Sequence, residues 1–158
     1  APAAKLGAGV WQGIKDTFHH CYVAVVAGVE VDRASGKVRV TRAVAAVDAG
    51  QIVNPDGVAN QIEGGIIQSA SWTLMEAVRY DRTRVTTRSW ADYPIIHFED
   101  VPQVEVVLLN RPDERFLGVG EGSQGPAAAA IANAIAHATG KRLRALPFTP
   151  ERVKQALA

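Results

Sequence analysis

The stretch KVRVTRAVAAVDAG, residues 37–50, decides the fold. It opens as an alternation, with Val38 and Val40 on one side and Lys37, Arg39 and Thr41 on the other. That period of two marks a strand with one wet face. From Ala43 the run turns wholly apolar, which predicts a strand that dives under other elements. Upstream, CYVAVVAGVEV (residues 21–31) is dense in valine, and Asp32-Arg33-Ala34-Ser35-Gly36 forms a polar turn between the two runs. Residues 21–31 and 37–48 are therefore expected to pair antiparallel.

Downstream, Asn54-Pro55 reads as a helix start, since asparagine caps and proline suits the first turn. Val58, Ile62, Ile66, Ala70, Leu74 and Val78 recur at close to helical spacing, which predicts a helix to about Arg79. Gly64-Gly65 inside it is costly, roughly 1 kcal/mol per glycine relative to alanine, and implies that something packs close to the backbone there. Residues 80–102 read as strands and loops punctuated by Tyr93-Pro94 and Val101-Pro102, and QVEVVLLN (103–110) as another strand. Ala127–Ala138 predicts a second helix with Pro126 at its first position. Thr149 caps a short C-terminal helix that begins Pro150-Glu151. Strands and helices do not strictly alternate. The expected class is α+β, an antiparallel or mixed sheet packed with two main helices, in a single domain over 1–158.

Seventeen Lys+Arg against sixteen Asp+Glu, net +1, give no field that argues for nucleic acid or an anionic membrane. The densest basic cluster, Lys141, Arg142 and Arg144, follows a helix end and suits the helix dipole. With 47% hydrophobic and 21% charged residues the chain is expected to fold. The one cysteine, Cys21, excludes an internal disulfide, a CxxC pair and a cysteine-ligated iron–sulfur cluster within this chain; it reads as a buried small hydrophobe. No run approaches the roughly 20 apolar residues of a membrane span. The opening APAAKLGAGVWQG lacks the pattern of a signal peptide and a starting methionine, so the chain reads as a processed product or an excised piece.

GVGEGSQG, residues 118–125, contains Gly120-x-Gly122-x-x-Gly125, the spacing of a dinucleotide-binding loop. A helix follows, but RPDERFLG separates the loop from the preceding strand. No acidic residue follows until Glu151, and Glu121 places a negative charge where a pyrophosphate would sit. The second reading makes Glu121 the point of the loop. Its glycine neighbours leave the carboxylate uncovered just before a helix start, where it serves as a general base or as a plain capping carboxylate. Spacing leaves these open.

Three stretches in order, AAVDAGQIVNPDGVANQIEGGIIQSAS, WADYPIIHFEDVPQVEV and GVGEGSQGPAAAAIANAIAHATGKRLRALPFTPERV, resemble the C-terminal region of the large, molybdenum-binding subunit of the xanthine oxidase family of molybdenum hydroxylases. The likeness runs over roughly residues 18–155 and favours the isoquinoline oxidoreductase, nicotinate dehydrogenase and aldehyde dehydrogenase branch. It implies that Glu121 is the catalytic base in oxidative hydroxylation of an N-heteroaromatic or aldehyde substrate with water-derived oxygen. A carboxylate suffices there, because a metal acidifies an oxygen ligand. It further implies that Gln61, in NQIEGG, approaches the pterin, that Gly120 lies near the molybdenum through its backbone, and that Gly64-Gly65 permits close packing near the cofactor. The implied cofactors are molybdopterin cytosine dinucleotide in the complete subunit and a [2Fe–2S] centre in a small partner subunit. The implied partners are the remainder of the large subunit, that small subunit and a small-molecule substrate.

Relatives often carry proline directly after the glutamate, whereas Gly122-Ser123-Gln124 follows here, which predicts a looser loop. The family's large subunit is several times longer, so the chain reads as a fragment, an isolated domain or a split-gene product that alone holds no cofactor. Two other functions compete: a non-catalytic docking domain that joins a larger partner through apolar faces, and a nucleotide binder using Gly120, Gly122 and Gly125. The remaining residues have plainer readings. His19-His20 lack a third ligand, and His97 and His137 stand singly. Asp92-Tyr93-Pro94 reads as a strand end, Asp48 as a helix-loop organiser, and Trp11, Trp72 and Trp90 as core or interface packing.

Overall fold

The computed structural model describes residues 21–158. The expectations for His19, His20 and Trp11 lie outside the described residues. Strands β1 (Tyr22–Val31) and β2 (Val38–Asp48) pair antiparallel, from Tyr22 opposite Asp48 to Val31 opposite Val38. The turn between them is built on Asp32, whose carboxylate accepts from the Ala34 amide at 2.9 Å and the Ser35 hydroxyl at 2.7 Å.

Alternation in β2 changes parity at one point. Gly28 lies opposite Arg42 and Val29 opposite Val40, so Thr41 is an extra, bulged residue. Its hydroxyl donates to the Gly28 carbonyl at 3.3 Å. The bulge puts Val38 and Val40 on the same buried face as Ala43, Ala45 and Val47. The apolar run after Ala43 is thus covered on one face only, for Val44 and Ala46 alternate outward and are half-buried.

Strand β3 (Gln103–Leu109) lies parallel to β2, from Arg42 opposite Gln103 to Asp48 opposite Leu109, giving a mixed sheet in the order β1-β2-β3. A parallel neighbour requires a crossover, and helix α1 (Pro55–Leu74) provides it. Asn54 caps α1 as expected, its side-chain oxygen accepting from the Gly57 amide at 3.0 Å.

The helix stops at Leu74 and does not reach Arg79. The Thr73 carbonyl is claimed by the Phe148 amide at 2.7 Å, and the Ser71 carbonyl takes the amides of both Met75 and Glu76. Val78, at the right spacing, is exposed. The excursion over residues 75–102 holds little regular structure, an isolated bridge between Tyr80 and Val85 and one 3-10 turn over Phe98–Asp100. Asp92-Tyr93-Pro94 is accordingly a turn and not a strand end; the Tyr93 hydroxyl donates to Glu76 at 2.7 Å, which raises the phenol's pKa. Trp90 is exposed and meets Tyr93 edge to face at 6.4 Å, so it is not a core residue in this chain.

Helix α2 (Gln124–Thr139) begins two residues earlier than expected, so Pro126 is its third residue and not its first. Proline is tolerated there because first-turn amides have no partner within the helix. Helix α3 (Pro150–Leu157) is capped by Thr149, as its sequence predicts.

Helices α1 and α2 cover one face of the sheet. Ile62, Ile66, Ile131 and Ile135 are sealed there, each contributing about 1.5–3 kcal/mol of apolar burial. The opposite face stays open, with Tyr22, Val26, Val107 and Leu109 exposed. No helix among the described residues is long and apolar enough to cross a membrane.

Candidate active site

The ends of β2 and β3 lie side by side, and the start of α2 packs on the middle of α1 at Ile62, Gly65 and Ser69. The turn leaving β2 is tied to the segment that leads towards Glu121. Leu117 donates to the Ala49 carbonyl and Arg111 to that of Gly50, both at 2.9 Å. Asp48 organises this turn, accepting from the Gly50 amide and from the Arg111 guanidinium, each at 3.1 Å. Gly50 has φ +70° and its missing side chain would sit 2.1 Å from the Arg115 carbonyl oxygen, so both conformation and space require glycine.

Glu121 follows in an unusual conformation. Among the described residues it is the one non-glycine residue with positive φ, 63°. Left-handed backbone at a residue with a side chain costs of order 1–3 kcal/mol and persists only where the surroundings enforce it. Its side chain is exposed, and no described residue offers it a hydrogen bond or ion pair. It lines a cleft of about 320 Å³ with Asn60, Gln61, Gly64, Gly65, Gln68 and Gln124.

The three site residues expected from sequence are brought together. Glu121 and Gln61 share the cleft, and a side chain placed on Gly120 would lie 4.0 Å from Gln61 Oε1. Gly65 meets the expectation of close approach, since an added Cβ would lie 2.3 Å from Ser123 Oγ; Gly64 has nothing within 4 Å and opens onto the cleft. What packs on Gly65 is therefore the Glu121 loop.

Sequence reasoning missed Asn60, Gln68, Ser69, Ser123 and Gln124. Gln61, Gly64, Gly65 and Gln68 stand at i, i+3, i+4 and i+7, so helical spacing alone points to Gln68. Nothing comparable marks Ser123.

The loop is also firmer than the glycine after Glu121 suggests. The Gly122 amide donates to the Val119 carbonyl at 3.1 Å, a bond that proline could not make. A Cβ on Gly122 would fall 2.8 Å from Cys21 Sγ, so the loop lies directly on Cys21 and Val23. Burial pushes the Cys21 thiol pKa up, which suits a packing role and not a nucleophile. The phosphate-cradle geometry is not present. Strand β3 ends at Leu109 and does not run directly into α2, since residues 110–123 intervene, and Gly125 is already inside that helix. A larger groove of about 540 Å³ between β1 and α2 is mostly apolar, with Asn133 and His137 its polar residues. His97 and His137 are exposed, and among the described residues no three His, Cys, Asp or Glu side chains gather as a metal site.

A short carboxylate-bearing loop is thus laid on an amide-lined helix. The molybdopterin cofactor-binding domain family matches residues 8–102. A nicotinate dehydrogenase subunit of Pseudomonas putida is 49% identical over 140 residues, 89% of this chain and 12% of that protein. The beta chain of isoquinoline 1-oxidoreductase from Brevundimonas diminuta is 37% identical over 149 residues, 94% of this chain and 19% of that protein. Among solved structures, the aldehyde oxidoreductase from Desulfovibrio gigas superposes with a TM-score of 0.76 at 33% identity, over 87% of this chain and 15% of that one. The chain belongs to the molybdopterin-binding domains of the xanthine oxidase family. It spans 12–19% of the length of these two curated relatives.

The cleft fits a molybdopterin. Asn60, Gln61 and Gln68 present amides that both donate and accept, as a pterin edge requires, and Gly64 leaves backbone uncovered beside them.

Proposed function

We propose that this chain is the C-terminal part of the catalytic subunit of a molybdenum hydroxylase, with Glu121 as general base. The observation that carries this reading is the left-handed Glu121, a strained residue whose carboxylate is held in the amide-lined cleft without a protein partner among the described residues. A carboxylate that is not consumed by a structural bond is available to take a proton.

Gln61 and the Gly120 backbone, with the amides of Asn60 and Gln68, would hold the cofactor. In the complete subunit it is molybdopterin cytosine dinucleotide. When bound, it supplies two-electron oxidation and activates a water-derived oxygen. The chain's own part is to place the Glu121 carboxylate beside that oxygen and to accept its proton. Names among the relatives point to N-heteroaromatic or aldehyde substrates. A [2Fe–2S] centre in a small partner subunit would supply the electron acceptor.

Glu121→Gln in the complete assembly is expected to lower kcat about 100- to 10,000-fold, the usual contribution of a general base, with molybdenum content unchanged. Normal turnover by that variant would sink the assignment. The open sheet face, with Tyr22 and Val26 both 72% exposed, favours a second, non-catalytic role in docking onto the remainder of the large subunit. A docking domain alone predicts that Glu121→Gln leaves turnover intact.

A further inference from the structure

We propose that Ser123 is a positioning residue for Glu121, its buried hydroxyl fastening the loop to α1 so that the left-handed backbone at Glu121 is maintained beside Gln61. This rests on the reading of Glu121 as the base.

Ser123 stands at the N-cap of α2, where a serine hydroxyl ordinarily accepts from an amide of its own helix. Here it makes no such bond. The hydroxyl instead donates to the Ile62 carbonyl on α1 at 2.9 Å, and the residue is fully buried. Ile62 directly follows Gln61, so the bond joins the residue two places after the carboxylate to the residue one place after the amide. The seat for this hydroxyl is the absent side chain of Gly65, whose Cβ would lie 2.3 Å from it.

A second stitch lies one residue further on. Ser69 Oγ donates to the Gln124 carbonyl at 2.7 Å, and Gln124 Nε2 donates to Gln68 Oε1 at 2.8 Å. On the other side, Gly122 rests on Cys21 and Val23. Residues 122–124 are thus gripped from α1 and from the start of β1, while the Glu121 side chain is left clear. Rigid backbone under an exposed carboxylate is what aims a base, since small misplacements sharply reduce rates.

The test uses the complete enzyme carrying Ser123→Ala, read by kcat, KM, molybdenum content and hydrogen exchange of peptides over 118–125. The proposal expects kcat to fall at least tenfold with KM and molybdenum content within about twofold, and amide exchange at least tenfold faster in 118–125 alone. Ser69→Ala should move the same readouts in the same direction by less, and it decides the matter if Ser123→Ala fails to accumulate. Unchanged exchange and kcat would overturn the proposal, as would a fall in activity that merely tracks lost molybdenum. Glu121→Gln run in parallel separates the two ideas. Full turnover there removes the base assignment, whereas loss there with a silent Ser123→Ala removes only the positioning role.

Discussion

The two halves of the core are built on different terms. Away from the site, Val38, Val40, Leu74, Ile131, Ile135, Phe148 and Val153 fill space with large side chains, Ala70 being the one alanine among the eight, and α3 closes over them. At the site, Ala43, Ala45, Val47, Ala49, Ile62, Ile66 and Ala127 form the packing, and four of those seven are alanines. Alanine brings backbones close but offers few atoms for dispersion contacts. Position at the site is therefore set by directional bonds, those of Ser69 and Ser123 to carbonyls and of Leu117 to Ala49. One half gains stability from volume; the other gains placement from hydrogen bonds.

That contrast can be broken. The largest stability effect is expected from Phe148→Ala, which empties a buried site in the far half and should cost about 3–5 kcal/mol in urea unfolding of the chain. If the halves divide labour as described, the complete enzyme carrying it keeps its kcat per folded molecule. Gly65→Ala should cost less, about 1–3 kcal/mol of overpacking, yet it displaces the Ser123 hydroxyl and should lower kcat. A silent Gly65→Ala would show that close approach at this end is not needed.

The smallest effect concerns Asp32, remote from both. Hydrogen bonds from Ser35 and from the Ala34 and Ser35 amides hold its carboxyl below the ordinary range. The bonded carboxylate therefore stabilises the fold above pH ~4, the unfolded value, and loses that contribution as pH falls through the folded one. Asp32→Asn should lower the unfolding temperature slightly at neutral pH, with the two proteins converging in acid.

The antiparallel pair was legible because its two strands are neighbours in the chain and share one turn. The parallel pairing of β2 with β3 was not, since QVEVVLLN carries no mark of which strand it joins. Helix α1 overran in the reading because Val78 keeps the spacing, while the contact that ends the helix comes from Phe148, far along the chain. At the site, Glu121, Gln61 and Gly120 stood out through motif and resemblance. Ser123 did not, because a serine before a helix is expected to cap that helix, and only the neighbouring α1 reveals that it bonds elsewhere.

The bulge at Thr41 has a consequence for how this domain tolerates insertion and deletion. Losing one residue there would leave every other side chain of β2 on its present face, because VRV and RAVAAVD would join in unbroken alternation. A deletion elsewhere along the strand, Arg42 apart, would exchange inside for outside on one side of the cut. The joint between the stabilising half and the site-bearing half is thus the place where β2 can change length without being rewritten, and what such a change would alter is the angle at which the two halves meet.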